Sequence, residues 1–316
     1  MWRSLPKLGS AVLAGASLCC GTIPVQGQAC CGVPTISLAG TERGIDETTP
    51  VAVTLSYSFT DFSQTLNGTT RIPDPLGREA SSHVWRLEGE LVLGRGWSLL
   101  LSLPVTSKAR RMQLDTLTAT YRATGIGDAI ALLKRRLLTG GTLSPWSITA
   151  GLGVKAPTGA SDREEYGVRL PRDLQPGTGT WEVLAWGFTT AVLLDGLSSV
   201  ALSATVRLPL TADELDYRNG TEVQLLLIGS WFDPPLPELL PALALRLRMT
   251  GRDRLGTTPF PATGGTWLDA LPSLMLQLTP FALRLQGVVP VWYRTQGIQL
   301  VPSWGITAEL HWSLSP

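Results

Sequence analysis

Polar and apolar residues alternate along most of the chain with a period of two. In residues 146–156, the even positions carry Trp, Ile, Ala, Leu, Val and Ala, while the odd positions carry Ser, Thr, Gly, Gly and Lys. Residues 200–208 and 243–250 repeat the pattern, with one apolar face and one face that contains Arg. A strand keeps alternate residues on two faces, whereas a helix with about 3.6 residues per turn would scatter them around its axis. The pattern therefore predicts β-strands with one apolar face each.

About twelve such segments are expected, near residues 51–62, 82–93, 96–107, 124–137, 145–156, 180–193, 199–209, 221–232, 241–251, 267–278, 281–291 and 298–314. The segment 124–137 is the weakest of them and also fits a short helix. The connectors alternate between a short set and a longer set. The short ones are 94–95, 138–144, 194–198, 233–240 and 279–280, and the longer ones are 63–81, 108–123, 157–179, 210–220, 252–266 and 292–297. Short turns at one end and long loops at the other are typical of outer-membrane barrels.

Three features favour a membrane over a soluble sandwich. The alternating runs span about 9–13 residues, whereas soluble strands have about 5–6 and tilted membrane strands about 9–11. One face stays apolar while the other carries Arg, Lys and Glu. Aromatic residues gather at predicted strand ends, where their rings would lie at the headgroup level; they are Trp97, Trp146, Trp181, Trp231, Trp267, Trp292, Tyr57, Tyr121, Tyr217 and Tyr293. The sequence therefore predicts an all-β fold, a transmembrane antiparallel up-and-down β-barrel of about 12 strands over residues 51–316, in the bacterial outer membrane.

The composition argues against two other classes of protein. The chain has 316 residues, of which 16% are charged, with a formal net charge of +1 and a mean hydropathy of +0.15. Beyond the N-terminus, no apolar run approaches the roughly 20 residues that a membrane-spanning helix needs. A nucleic-acid partner is not expected, because binding to the phosphate backbone needs a basic face.

The N-terminal residues precede the first predicted strand. Residues 1–29 are predicted to be a secretory signal peptide, whose apolar core at 11–20 is too short to span a bilayer. Residues 30–50 are polar without a clear period, and we expect a periplasmic tail or a small plug. Cys30 and Cys31 are weak candidates for a soft-metal site or for pairing with another chain, and a disordered tail is the favoured alternative. No cofactor is expected.

The charged residues of the predicted strands share the face opposite to the apolar one. An Arg or Lys that faces acyl chains costs about 2–4 kcal/mol at mid-bilayer, so these side chains are expected to point into the lumen. The lumen candidates are Arg86, Glu88, Glu90, Lys155, Glu182, Arg207, Glu222, Arg246, Arg248, Asp269, Arg284 and Glu309. They form either a charged constriction that selects solutes or an ion-paired, water-filled interior that only stabilises the barrel. Arg246 and Arg248 have Glu222 and Asp269 as expected neighbours on adjacent strands.

The two histidines do not support a hydrolase. A serine hydrolase needs its base within about 3 Å of the nucleophile. His83 directly follows Ser82, the reverse of the His-Ser order of outer-membrane phospholipases. His311 and Ser313 share one strand face at a spacing of about 7 Å along the strand. We therefore expect no enzymatic activity, and a polar lining role for His311.

Four short motifs carry a resemblance to a known family. They are a Gly-Ile-Gly-Asp start at 125–128, Leu-Leu-Lys at 132–134, Gly-Val-Lys-Ala-Pro-Thr-Gly at 153–159 and Gln-Pro-Gly-Thr-Gly-Thr at 175–180. In this order and spacing the stretch resembles the outer-membrane channel family named for the meta-pathway of phenol degradation. The resemblance implies a β-barrel related to transporters of hydrophobic compounds.

The hypothesis that follows is a channel without covalent chemistry. It would pass small, hydrophobic or aromatic solutes by passive diffusion, so its partners would be the lipid bilayer and a small-molecule solute. The charge-rich loop 157–179 either folds in as a gate or, as is usual for such runs, stays solvated. The alternative function is a non-conducting structural barrel or a scaffold for a partner.

Overall fold

Twelve long strands make up most of the molecule. The computed structural model describes residues 42–74, 76–114, 117–140, 145–165, 167–193, 196–232 and 238–314. The strands are β1 (Val51–Phe62), β2 (Glu79–Gly94), β3 (Trp97–Leu114), β4 (Ala129–Leu138), β5 (Trp146–Ala156), β6 (Glu182–Val192), β7 (Ser198–Pro209), β8 (Glu222–Trp231), β9 (Leu239–Thr250), β10 (Gly265–Leu278), β11 (Phe281–Thr295) and β12 (Trp304–Leu314). Each pairs antiparallel with the next along the chain.

The last strand closes the sheet into a barrel. β12 pairs with β1 in a register that runs from Val51↔Leu314 to Asp61↔Trp304. Closure gives each of the twelve strands a partner on both sides, and a bilayer would not tolerate an open edge of unpaired backbone groups in this wall. The predicted barrel of about 12 strands is therefore confirmed. We call the end with the short connectors the turn end and the opposite end the loop end.

The two faces of each strand differ as the alternation predicts. Leu101 on β3 is 52% exposed, whereas the next residue, Ser102, is 3% exposed. Outward-facing tryptophans at strand ends include Trp97, Trp146, Trp181, Trp231 and Trp292. The prediction is wrong for Trp267, Tyr217 and Tyr293, which are buried. Trp267 lies two residues before the inward Asp269, and residues two apart in a strand share a face.

The wall between β3 and β4 differs from the prediction. The helix alternative for 124–137 is wrong: a strand, Leu117–Ile126, is interrupted at 127–128 and continues as β4. The predicted loop 108–123 is also wrong, because Leu117–Ile126 pairs with the second half of β3 as a hairpin. The pairing of β3 changes at Pro104, between Ser102↔Ile130 and Val105↔Ile126. Proline has no N–H to donate to a ladder, so a break in pairing is favoured there.

The predicted strand 298–314 is two strands. Ile298–Val301 pairs with Gln64–Asn67, which in turn pairs with Thr70–Ile72, and these form a small sheet at the loop end. Leu300 is therefore buried against Phe62 and Ala80 rather than facing lipid, which corrects the prediction. Pro302 separates the two strands, as expected for a residue that cannot donate to a ladder.

The other long loops carry short elements. A short hairpin with strands of two residues each (Glu164–Glu165 and Val168–Arg169) and a 3-10 turn (Arg172–Leu174) follow β5. Tyr217–Arg218, Arg254–Leu255 and Thr258–Pro259 form a further small sheet. Among the described residues, no helix is long and apolar enough to cross a bilayer. The predicted signal peptide and the Cys30-Cys31 pair lie outside the described residues.

Candidate functional site in the lumen

The charged residues singled out from the sequence all lie on the inner face of the barrel. Ten of them are buried, and Glu90 and Arg284 are half-buried. Nine of them fall into three groups, two in the half of the barrel toward the loop end and one near the turn end. The other three are on β2: Glu90 lies 3.0 Å from Lys134 Nζ, and Arg86 and Glu88 border the two cavities described below. The groups are described in turn below, because each contacts a different part of the chain.

The first group extends by ion pairs from Asp128, the residue before β4, to β8. Lys155 Nζ lies 2.8 Å from Asp128 Oδ2 and 2.9 Å from Glu182 Oε1. Arg207 contacts both Glu182 (3.2 Å) and Glu222 (3.0 Å). Lys155 and Glu182 are directly opposite in the β5–β6 register, as are Arg207 and Glu222 in the β7–β8 register. Opposite charges at such positions stabilise a sheet, so strand pairing itself builds this network.

Asp128 links this network to the loop that follows β5. Its carboxylate accepts hydrogen bonds from Lys155 Nζ, from the N–H (3.0 Å) and hydroxyl (2.7 Å) of Thr178, and from the N–H of Gly159 (3.1 Å). A Cβ on Gly177 would lie 2.4 Å from the Gly159 carbonyl oxygen. The two backbone segments can therefore approach each other this closely only because both residues are glycine. Three of the four motifs that carry the family resemblance therefore meet at one place.

Part of the loop 157–181 lies inside the barrel. Leu174 is fully buried, and Lys108 Nζ on β3 donates to the carbonyl oxygens of Asp173 (3.0 Å) and Gln175 (2.8 Å). The Asp173 carboxylate also pairs with Arg110. The charge run at 162–164 stays exposed. The expectation of a solvated loop thus holds only for its tip, and the stretch 170–180 folds inward.

Two neighbouring loops hold this inward stretch. Arg172 pairs with Asp213 and lies 4.3 Å above the ring of Tyr217. The Tyr217 hydroxyl donates to Asp253, which also accepts the N–H of Gly220 (2.7 Å). Burial raises the pKa of the Asp253 carboxyl above its usual range, against these hydrogen bonds. The loop end is therefore covered by loops that contact one another.

The second group lies on β9 to β11. Arg246 pairs with Asp269 at 2.9 Å, and the Tyr293 hydroxyl donates to the same carboxylate. The Arg248 guanidinium lies 4.4 Å above the ring of Trp267. Of the acidic neighbours that the sequence suggested for Arg246 and Arg248, Asp269 is thus an observed partner of Arg246. The other, Glu222, pairs with Arg207 across the β7–β8 ladder.

The third group brings residues 42–47 into the turn end of the lumen. Glu42 pairs with Arg284 of β11, and Arg284 lies 3.6 Å from Glu309 of β12. On the other side, Arg136 of β4 donates to the carbonyl oxygen of Ile45 and lies 3.5 Å from Glu47. These six residues therefore extend across the barrel interior between β11 and β4.

An apolar surface inside the barrel is the main feature that sequence reasoning missed. It is formed by Leu100, Ile130, Leu132, Leu184, Trp186, Phe188 and Ala201, all buried. We call it the aromatic patch. Trp186 Nε1 donates to Ser203 (3.1 Å), and the ammonium of Lys134 lies 5.2 Å from the Trp186 ring. The even positions of β6 also hold Glu182, and this shared face was the signal that could have revealed the patch.

Two small cavities lie in the lumen among the residues that the structure describes. The upper cavity, about 50 Å³, lies between the inner face of β3 (Ser102, Pro104, Thr106) and residues 172–178 of the inward loop. The lower cavity, about 20 Å³, is lined by Arg43, Glu88 and His311 among others. A water molecule needs about 10–15 Å³ by this measure, so each cavity has room for only a few water-sized groups.

The distance expected between His311 and Ser313 is wrong. Ser313 Oγ lies 3.2 Å from His311 Nε2, because the two side chains lean toward each other from positions that share a face. The other ring nitrogen, Nδ1, lies 2.9 Å from the Thr54 hydroxyl. A Ser–His–acid triad has a carboxylate at that position. The arrangement therefore matches polar lining better than a hydrolytic site.

Comparisons with known proteins bear on the fold. No protein-family model matches the sequence, and no curated protein does. The crystal structure of the COG4313 outer membrane channel from Pseudomonas putida F1 is similar, with a TM-score of 0.64, 14% identity, and coverage of 85% of this chain and 97% of that one. The chain folds as an outer-membrane β-barrel. The translocator domain of the autotransporter NalP from Neisseria meningitidis is less similar, with a TM-score of 0.47, 9% identity, and coverage of 88% and 93%.

Proposed function

We propose that the protein is an outer-membrane channel that passes small, hydrophobic or aromatic solutes by passive diffusion. The observation that carries the proposal is the aromatic patch on the inner wall. A barrel interior that served only to hold water and ion pairs would have no use for buried Trp186 and Phe188 beside Lys134. An apolar surface inside the lumen offers a solute a place to leave water.

The described conformation is a narrow one. The inward loop and residues 42–47 occupy much of the lumen, and the cavities of about 50 and 20 Å³ have no room for an aromatic ring. Passage of such a solute would require the loop or the segment 42–47 to move. Both are held by ion pairs and hydrogen bonds, which can exchange for water at low net cost.

Liposome swelling tests the role of the aromatic patch. Phenylalanine and glutamine are membrane-impermeant zwitterions that differ in side-chain polarity. We expect the wild type to pass phenylalanine faster than glutamine, and Phe188→Gln to reduce this ratio severalfold, because the variant replaces apolar contact area by an amide. Phe281→Gln is the matched control, since Phe281 is 42% exposed on the outer face of β11 and stacks with Trp312. An unchanged ratio in Phe188→Gln would contradict the proposal.

A second candidate function is a non-conducting structural barrel. It is favoured by residues 42–47, whose ion pairs bridge β11 and β4 across the interior. Planar-bilayer recordings separate the two candidates. A gated channel should show small currents that rise in the double variant Glu42→Ala/Glu47→Ala, because both bridging pairs are lost. A barrel that inserts but conducts in neither form would support the structural function.

A further inference from the structure

The upper cavity contains buried hydrogen-bond donors without partners. Ser102 Oγ, Thr106 Oγ1 and Arg207 Nη1 have no hydrogen-bond partner within the part of the chain that the structure describes. All three residues line this cavity, and they are 3%, 1% and 6% exposed. Buried polar atoms are almost always paired in folded proteins. A guanidinium nitrogen can only donate, so the complementary group must accept hydrogen bonds.

The charges that line the cavity favour an anion as that group. Five cationic side chains border it, against the two carboxylates Asp128 and Asp173. The cations are Arg86, Lys108, Lys155, Arg172 and Arg207. Behind Arg207 stand Glu182 and Glu222, so the wider region is close to neutral. Such a site attracts an anion without holding it tightly, which conduction requires.

The same cavity also has apolar walls. Pro104 of β3 lies between Ser102 and Thr106, while Ile130 of β4 and Pro176 of the inward loop also border the space. Ser102 and Thr106 are four residues apart, or about 13 Å along a strand. One small anion cannot contact both hydroxyls together, so they form successive contacts along β3. The chemistry fits a carboxylate joined to a small apolar body.

We propose that the upper cavity is a transient site for the carboxylate group of small organic acids that move through the lumen. This inference rests on the proposed channel function and specifies its solute class as amphipathic carboxylates. The hydroxyls of Ser102 and Thr106 and the guanidinium of Arg207 donate to the carboxylate in succession. Pro104, Ile130 and Pro176 contact its apolar part.

Reversal potentials in planar bilayers test the site with two aromatic ions of similar shape. Benzoate and benzylammonium carry opposite charges, and their permeabilities are measured relative to chloride and sodium. We expect the wild type to favour benzoate. The double variant Ser102→Ala/Thr106→Val should lower the benzoate-to-benzylammonium ratio about tenfold, since each hydroxyl is a hydrogen bond to a charged group. Its folding stability should not fall, because these hydroxyls have no partner within the described chain.

Thr205→Val is the matched control. Thr205 is a buried threonine on the inner face of β7 that does not line the cavity. Its variant should keep the wild-type ratio. An equal loss in both variants, or no loss in the double variant, would overturn the proposal.

A binding measurement separates this site from the channel function. Anomalous diffraction from crystals of the detergent-solubilised full chain soaked with 3-bromopropionate, a short carboxylate without a ring, locates the halogen directly. Bromine density in the upper cavity of the wild type, absent in Ser102→Ala/Thr106→Val, supports the site even if no current is seen. Ordered water alone in the cavity, together with measurable but unselective currents, would refute the site and leave the channel function standing.

Discussion

The hydrogen bonds of Asp128 predict how firmly the inward loop is attached to the barrel. In Asp128→Asn, one carboxylate oxygen becomes an NH₂ donor. Oδ2 accepts from Lys155 and twice from Thr178, whereas Oδ1 accepts only the N–H of Gly159. The amide oxygen should therefore take the Oδ2 position and leave the Gly159 N–H opposed by another donor.

The expected loss of stability follows from these contacts. An unsatisfied buried N–H costs about 1–3 kcal/mol. The two hydrogen bonds from Thr178, whose donors are neutral, are about half as strong to a neutral oxygen as to a carboxylate, which adds about 1 kcal/mol. Lys155 keeps its ion pair with Glu182, so the charge of Lys155 is not left unpaired. The free energy of unfolding should thus fall by about 2–4 kcal/mol.

Urea unfolding in detergent micelles, followed by tryptophan fluorescence, measures this loss. Asp162→Asn is the control, because Asp162 is exposed in the same loop and should change stability by less than about 0.5 kcal/mol. A loss below about 1 kcal/mol in Asp128→Asn would refute the reasoning, since the lost Gly159 bond alone should cost more.

Two further perturbations test other parts of the structure. Gly177→Ala should lower the free energy of unfolding by about 1–3 kcal/mol, because its Cβ would lie 2.4 Å from the Gly159 carbonyl oxygen. Gly187→Ala is the control and should be tolerated, because a Cβ there meets nothing within 4 Å. Equal urea midpoints for the two variants would contradict this. The pKa of Asp74 lies below its usual value, because hydrogen bonds from Arg78, among others, outweigh the opposing effect of burial. A carboxyl whose pKa is lower in the folded than in the unfolded state stabilises the protein at pH values above its ordinary pKa of about 3.9. This stabilisation is lost as the pH falls through the folded-state pKa. The stability difference between wild type and Asp74→Asn should therefore be large at pH 7 and shrink below about pH 4, and a constant difference would refute the assignment.

The sequence predicts the strands of the barrel wall more completely than the contents of the barrel interior. Residues 146–156 were sufficient to predict β5 and its outward face, because a strand in lipid must turn every second side chain to the acyl chains. The same alternation predicts that Lys155, Arg207 and Arg246 point into the lumen, where all three are buried. Both faces of β6 are largely apolar, so the contrast between them is weak, and Glu182 is the one charged residue of this strand that indicates the inward position of Trp186.

The sequence by itself determined the number of strands, their order and the inward charges, since these follow from local alternation and from the cost of a charge in hydrocarbon. Only the tertiary structure decided what fills the lumen. The contacts of Glu42 with Arg284 and of Asp173 with Arg110 join residues far apart in the chain. No periodicity encodes such pairs, because they arise only when closure of the barrel brings distant strands and loops around one interior.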